Sequence, residues 1–146
     1  MLPKIKLRLR KLFLYWVPVV LWLFLIFIVS NRSVSITSEF FWQDFIVKKL
    51  AHIIEYAILS TFFYRALLGE GVDKKKAGIW AVILTTIYGA SDEFHQSFIP
   101  GRQSRVRDIV VDSFGAGLAI YLIRQYLPKT PERIQYLIGK LGMSFK

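Results

Sequence analysis

Residues 12–29, LFLYWVPVVLWLFLIFIV, form an apolar stretch with no charged residue. In a helix this stretch is about as long as the minimum of roughly 17 residues needed to cross a hydrocarbon core. A basic run precedes it, and no A-x-A-like cleavage site follows it, which favours a retained transmembrane helix over a signal peptide. Pro18 is tolerated in a membrane helix, where it can introduce a kink.

Three further apolar blocks follow, and each is long enough to form a membrane helix. The four predicted helices cover residues 12–29, 45–68, 77–94 and 107–126. The segment GEGVDKKK separates the second block from the third, and SFIPGRQSRVR, with Pro100-Gly101 as a turn signal, separates the third from the fourth. The sequence therefore predicts an all-α membrane protein, with one domain over residues 1–146 and a bundle of about four transmembrane helices.

Composition supports a bilayer environment and argues against other classes. Hydrophobic residues make up 54% of the chain, the formal net charge is +10, and there is no cysteine. Thiolate chemistry is therefore excluded, and any metal would need His and carboxylate ligands. The basic residues lie at the ends of apolar blocks, which argues against a nucleic-acid partner.

The distribution of Lys and Arg predicts the topology. With both termini cytoplasmic, fourteen of the twenty basic residues lie inside: Lys4, Lys6, Arg8, Arg10, Lys11, Arg65, Lys74, Lys75, Lys76, Arg124, Lys129, Arg133, Lys140 and Lys146. The outer side holds Arg32, Lys48, Lys49, Arg102, Arg105 and Arg107, with the aromatic residues Phe41, Trp42 and Phe98 at the outer interface. Residues 131–141 are expected to form a short amphipathic helix on the membrane surface, with Thr130 as its cap.

Ionisable residues of three predicted helices then fall at one level, near the outer end. They are His52 and Glu55 in the second helix, Asp92, Glu93 and His95 in the third, and Asp108 and Asp112 in the fourth. Helical spacing places the members of each group on a shared face. The small residues Gly115, Ala116 and Gly117 would let the fourth helix pack closely on a neighbour.

The five acids need partners. A charge at a helix centre costs roughly 2.5–3.5 kcal/mol on insertion scales. The acids must therefore pair with one another, with Arg102, Arg105 or Lys49, with a metal, or with a proton. Simpler interpretations are a structural bond between His52 and Glu55, lipid contacts for the loop arginines, a packing role for Tyr88, a cap role for Asp108 and snorkelling by the lysines.

The two segments that carry these residues are KKLAHIIEYAIL (48–59) and YGASDEFHQSFIPGRQSRVRDIVVDSFGAGLA (88–119). In order and spacing they resemble the VanZ-like family of bacterial membrane proteins. The matching positions are His52, Glu55, Tyr56, Asp92, Glu93, Gln96, Pro100, Gly101, Arg102, Asp108, Asp112, Gly115 and Gly117. The resemblance implies a multi-pass protein of the bacterial cell membrane, and its founding member is associated with resistance to the glycopeptide teicoplanin.

Three functions follow as hypotheses. The first is an enzyme, a metal-dependent or acid–base hydrolase or transferase acting on an anionic lipid or lipid-linked envelope substrate. The second is a non-catalytic binder of a lipid head group or a lipoglycopeptide antibiotic, and the third is a small transporter.

The hypotheses assign a role to each polar residue of the cluster. Catalysis would rest on His52, Glu55, Asp92, Glu93, Asp108 and Asp112. Substrate contacts would come from Tyr56, Tyr88, Gln96, Arg102 and Arg105. A divalent metal (Mg, Mn or Zn) would take His52, Glu55, Asp92 and His95 as ligands.

Overall fold

Long helices account for nearly all of the described chain. The structure, a computed structural model, describes residues 2–31, 42–100, 102 and 104–143. Within these residues every regular element is helical, which confirms the all-α prediction. The elements are α1 Leu2–Lys11, a π-helical turn Leu12–Trp16, α2 Val17–Ser30, α3 Trp42–Gly69, α4 Lys74–Gln96, α5 Val106–Tyr126, a 3₁₀ turn Leu127–Lys129 and α6 Glu132–Lys140.

The last three predicted transmembrane helices lie inside α3, α4 and α5, each of which is one to five residues longer than predicted. The sequence also assigned positions to Arg32, Phe41, Gly101 and Lys146, and these residues lie outside the described part. Two names are used for the ends of the bundle. The carboxylate end is where α4 ends and α5 begins, and the tail end is where α3 ends and α4 begins.

The first helix begins well before the apolar stretch. α1, the π turn and α2 follow one another without a break, and Pro18 lies in the first turn of α2. Pro18 has no N–H, so it cannot donate to the carbonyl of Leu14, four residues earlier. Arg65 of α3 donates to that oxygen through Nη2 at 3.0 Å. The proline thus leaves an acceptor open, and a buried side chain from another helix fills it.

Asp73 explains why α4 begins earlier than predicted. Its carboxylate caps the helix by accepting hydrogen bonds from the backbone N–H groups of Lys76 at 3.1 Å and Lys75 at 3.0 Å. These bonds hold the pKa of Asp73 below its ordinary value. Gly71 makes the turn before it with φ +85°, a conformation that glycine adopts without strain.

α3, α4 and α5 pack against one another, and α2 packs on α3. The closest approach is at Gly115, where an added Cβ would lie 2.6 Å from the carbonyl oxygen of Ile53. Ala116 is fully buried. Gly117 faces open space, because a Cβ there would meet no atom within 4 Å. The predicted close packing is therefore correct for Gly115 and Ala116 and wrong for Gly117, which borders an open groove between α4 and α5.

The bundle buries polar groups and exposes apolar ones. Large apolar side chains lie on the outer faces of the helices, among them Phe24, Leu25, Ile54, Ile79, Trp80, Ile87, Phe94, Val110, Phe114 and Leu122. By contrast, four of the five predicted acids and Gln96 are at most 9% exposed. The interior also holds apolar residues such as Leu59 and Ala81, but buried carboxylates together with so many exposed large apolar side chains are unusual for a water-soluble bundle.

Among the described residues, one helix is long and apolar enough to cross a membrane. It covers Arg8–Ser30, with a mean hydropathy of 2.7 over its apolar window. Only 11% of that window is buried in the protein, so it is not the core helix of a soluble bundle. A crossing by all four helices, with cytoplasmic termini, stays a prediction.

Arg65 ties the tail end together. The sequence placed it at the cytoplasmic surface, but its residue is only 9% exposed. Besides its bond to α2, it donates through Nε to the carbonyl of Leu141, and its guanidinium lies 5.2 Å from the centre of the Tyr15 ring. The same ring covers Gly69 and Gly142 so closely that neither position has room for a Cβ.

The helix predicted for the tail forms as α6, but its cap is not the predicted one. Thr130 donates through Oγ1 to the carbonyl of Leu127 at 2.7 Å, which completes the preceding 3₁₀ turn. The N-cap of α6 is Pro131, with no side-chain cap bond. Gln135 reaches back instead and donates to the carbonyls of Thr130 and Pro128. The cap prediction was wrong because the threonine hydroxyl bonds backwards.

Candidate functional site

Polar residues of α3, α4 and α5 converge at the carboxylate end, as the sequence predicted for their helices. We call this set the carboxylate cluster: Lys49, His52, Glu55, Tyr56, Asp92, Gln96, Asp108 and Asp112. Long antiparallel helices bring it together, because the C-terminal turns of α4 lie beside the N-terminal turns of α5.

His52 and Asp112 form the central pair of the cluster. The ring Nδ1 of His52 lies 3.1 Å from Oδ1 of Asp112. The Asp112 side chain is 1% exposed, whereas that of His52 is 20% exposed. Because a carboxylate accepts, Nδ1 carries the proton of the neutral ring, and Nε2 keeps its lone pair. This arrangement orients an imidazole with one nitrogen available as a base.

Asp92 forms a second group beside this pair. Its Oδ2 accepts from Nε2 of Gln96 at 2.7 Å and from the hydroxyl of Tyr56 at 3.4 Å. Stacking joins the two groups, because the rings of Tyr56 and His52 are nearly parallel with centroids 6.2 Å apart. Five residues of the predicted cluster, His52, Tyr56, Asp92, Gln96 and Asp112, thus form one network.

Two carboxylate oxygens in this network are buried without a hydrogen-bond partner. They are Oδ1 of Asp92 and Oδ2 of Asp112. A buried acceptor left unsatisfied costs about 1–3 kcal/mol, and more when it is charged. The oxygens are therefore suited to a proton or to a donor group on a ligand, and such a partner would recover this free energy.

Gly89 makes the network possible, and sequence reasoning missed it. A Cβ at this position would lie 3.2 Å from Cε1 of Tyr56 and 3.4 Å from Oδ2 of Asp112. Its absence lets α4 approach both side chains, so Gly89 closes one wall of the site. The signal in the sequence was a glycine within a helix, at the point where its apolar stretch gives way to Ser91, Asp92 and Glu93.

Glu55 is the carboxylate with the fewest contacts. Its side chain forms no hydrogen bond or ion pair with another described residue, so the simpler interpretation of a bond to His52 is wrong. It still lies within electrostatic range of His52, Asp112, Asp92 and Arg102. Its backbone carbonyl accepts from Trp22 Nε1 at 3.0 Å, which anchors α2 beside the site.

Asp108 and Glu93 have structural partners. Asp108 forms an ion pair with Lys49 of α3, and Arg107 Nε lies 3.8 Å from the same carboxylate. Asp108 therefore does not cap α5, whose N-cap is Arg105. Glu93 accepts at 2.8 Å from the backbone N–H of Arg105, so it fastens the loop to α4.

The remaining predicted binding residues mostly connect elements. Arg102 donates through Nη2 to the carbonyl of Val29 at 3.1 Å, which ties the loop to the end of α2. Tyr88 donates to the carbonyl of Leu23 at 2.6 Å, in keeping with the packing interpretation. Both side chains nonetheless border the cluster, Tyr88 through its ring beside Tyr56, with centroids 6.5 Å apart.

The predicted metal ligands are not brought together as a set. Among the described residues, no group of three or more His, Asp and Glu side chains is arranged to hold a metal ion. His52 engages Asp112, Asp92 engages Tyr56 and Gln96, and the ring of His95 packs on Phe27 with centroids 5.0 Å apart. The arrangement of these side chains in the described part of the chain therefore does not fit a divalent metal ion.

Comparison with known protein families identifies a family for this chain. The model of a family described as VanZ/LLP1 matches residues 13–127, most of the chain and all of the carboxylate cluster. No curated protein and no solved structure matches.

Proposed function

We propose, from the premise that the chain belongs to the VanZ/LLP1 family, that it acts on the head group of an anionic lipid or lipid-linked envelope substrate. Four helices would cross the bacterial cell membrane: the π turn with α2, then α3, α4 and α5. The site would be the carboxylate cluster, opening to the outer leaflet.

The exposure pattern supports the four crossings. Apolar side chains cover the outer faces of α3, α4 and α5, and the carboxylates lie between these helices. In water this surface would be an aggregation hazard, whereas in a bilayer it meets lipid chains. Each of the three helices has at least 21 residues, enough to cross a hydrocarbon core.

The positive-inside rule supports the orientation. The tail end carries Lys74, Lys75, Lys76 and Arg124, and the tail beyond it adds further basic residues. This end would face the cytoplasm, which directs the carboxylate end outward, where teicoplanin acts and where lipid-linked envelope intermediates are used.

The single observation that carries the function is the pair of His52 with a fully buried Asp112. Asp112 would hold the ring and stabilise its protonated form, while Nε2 would take a proton from an attacking water or hydroxyl group. The proton would then pass to the leaving oxygen of the substrate. Glu55, one helical turn from His52, is placed to act as a second acid–base group.

Non-catalytic binding is the second candidate, and one feature favours it. Asp92, Glu93, Asp108 and Asp112 each already have a protein partner. A site with its acids held in this way could orient a head group or a lipoglycopeptide without changing it. Only Glu55 and the two unsatisfied oxygens would then contact the ligand.

The decisive experiment compares the chain's two histidines. His52→Gln and the control His95→Gln would be expressed in a teicoplanin-susceptible host, and susceptibility and detergent-extracted folded yield measured. We expect wild type and His95→Gln to protect the host, and His52→Gln to lose protection at unchanged yield. Equal protection by all three proteins would exclude a role for the His52–Asp112 pair.

Direct binding then separates the two candidates. Purified His52→Gln would be titrated with the lipoglycopeptide and with a lipid-linked phosphate, beside wild type. Catalysis predicts unchanged affinity with lost turnover, because Nε2 contributes mainly to the transition state. A binder predicts that affinity and protection fall in parallel.

A further inference from the structure

A groove between α4 and α5 lies at the tail end, away from the carboxylate cluster. Its volume is about 520 Å³, and its walls include Gly78 and Val82 of α4 with Gly117 and Tyr121 of α5. Gly78 and Asp92 are fourteen residues apart in one helix, which separates the two places by roughly 21 Å. The volume falls in the range of roughly 300–1,000 Å³ typical of small-molecule sites.

Glycines create the groove. A Cβ at Gly117 would enter open space, so this residue leaves one wall empty. A Cβ at Gly78 would lie 3.0 Å from Cγ2 of Ile120 and 3.6 Å from Cδ of Arg124. Ile120 therefore packs closely against Gly78, and the side chain of Arg124 lies beside the same glycine, with its guanidinium at the mouth of the groove.

Arg124 gives the mouth a positive charge. Among the described residues its guanidinium forms no hydrogen bond or ion pair. The lining contains no acid, and the other polar side chains there are Tyr121 and Gln125. The first turn of α4 adds three lysines at the same end. An apolar groove with a cationic mouth is complementary to an amphiphile with an anionic head.

We propose that this groove binds one acyl chain of an anionic phospholipid of the inner leaflet, with the phosphate on Arg124. A guanidinium binds a phosphate through two parallel hydrogen bonds, and basic pockets between membrane helices on the cytoplasmic side bind such head groups. The site rests on the membrane orientation given under the proposed function, but it does not involve the carboxylate cluster.

Lipid retention in native mass spectrometry tests the site. The full chain in detergent would receive phosphatidylglycerol or phosphatidylcholine with the same acyl chains. Arg124→Gln removes the charge and Gly117→Leu fills the groove. The controls are Arg133→Gln and Gly139→Leu on α6, where a Cβ at Gly139 also meets open space.

Wild type and both controls are expected to retain phosphatidylglycerol about tenfold better than phosphatidylcholine. Arg124→Gln should remove that preference, because the charge-assisted bonds to phosphate are lost. Gly117→Leu should lower retention of both lipids while the protein stays folded, because the new side chain occupies space that is empty in wild type.

Three results would overturn the site. One is wild-type retention without a preference for the anionic lipid, and another is a Gly117→Leu protein that binds as wild type does. The third is a change of oligomeric state in Gly117→Leu, which would make the groove a contact between two copies. Protection against teicoplanin by Arg124→Gln, which leaves the carboxylate cluster intact, is measured alongside, so failure of the proposed function and failure of this site are separable.

Discussion

The two ends of the bundle treat buried charge in opposite ways. At the tail end, Arg65 has two carbonyl acceptors and an aromatic face. At the carboxylate end, Asp92 and Asp112 each keep a buried oxygen without a partner. A charge whose bonds are complete contributes to the fold, whereas incomplete bonds leave capacity for a ligand or a proton. The contrast therefore distinguishes the structural contacts of Arg65, near one end of α3, from the proposed functional site near the other end of the same helix.

Removing Arg65 should have the largest effect on stability. Arg65→Met keeps most of the volume but deletes hydrogen bonds to Leu14 and Leu141, each worth about 1.5–3 kcal/mol when one partner is charged. We expect a loss of several kcal/mol, seen as a lower unfolding midpoint in detergent by tryptophan fluorescence. The exposed Arg133→Met is the control. A midpoint equal to the control's would show that the tail end does not depend on these bonds.

Crowding the helix contact near the cluster should have the next largest effect. Gly115→Ala forces a methyl group against the carbonyl oxygen of Ile53, and overpacking of this kind costs about 1–3 kcal/mol. Gly117→Ala, two residues along α5, adds the same methyl group in open space and should be neutral or slightly stabilising. Unfolding midpoints in the same detergent measure both. Similar losses in the two variants would contradict the packing of α5 on α3.

Neutralising the cluster should leave stability unchanged or raise it, which is the opposite sign to the tail end. Asp112→Asn keeps the shape but removes a buried charge with an unsatisfied oxygen, so the cost of desolvating that charge no longer opposes folding. Protection against teicoplanin should nevertheless be lost, because an amide does not orient or stabilise the imidazole as a carboxylate does. A strong drop in the unfolding midpoint would instead make the His52–Asp112 bond structural.

The smallest effect is expected at an exposed group that belongs to neither site. The folded pKa of Asp73 lies below its unfolded value, so its contribution is present above the ordinary aspartate range and is lost as pH falls through the folded pKa. Asp73→Ala should slightly lower the unfolding midpoint at neutral pH and converge with wild type once the pH falls below the folded pKa of Asp73. Glu132→Ala, in the first turn of α6, is the comparison. If the difference in unfolding midpoint between Asp73→Ala and wild type grew as the pH fell, the Asp73 carboxylate would not be stabilising α4 as its cap.

Helix positions and the level of the acids could be predicted from apolar length and 3.6-residue spacing. The hydrogen-bond partners of the acids and of His52 could not be predicted, because they depend on how each helix is rotated about its axis. His52 bonds to Asp112, sixty residues away, and not to Glu55 on its own face. The convergence of acids was visible because five of them needed compensation in an apolar chain.

The tail end was the harder part to foresee. Arg65 was assigned only to the cytoplasmic side, because the Lys and Arg distribution predicts topology but not the partners of a single residue. Its partners are backbone carbonyls, which every residue has, so no side-chain pattern marks them. Pro18 was the one available sign, because a missing amide proton leaves a specific oxygen open. The missing N–H of Pro18 indicates that the Leu14 carbonyl lacks its usual donor, but it does not indicate that Arg65 of α3 supplies one.

The bond of Arg65 to Leu141 also has a consequence for biogenesis. Leu141 is synthesised seventy-six residues after Arg65, so α4 and α5 must be made before this acceptor exists. A newly synthesised α3 therefore carries an arginine that has only its earlier partner, the Leu14 carbonyl, fifty-one residues upstream. During translation the carbonyl oxygen of Leu14 can already accept a hydrogen bond from Arg65. The second bond forms only after Leu141 has been synthesised.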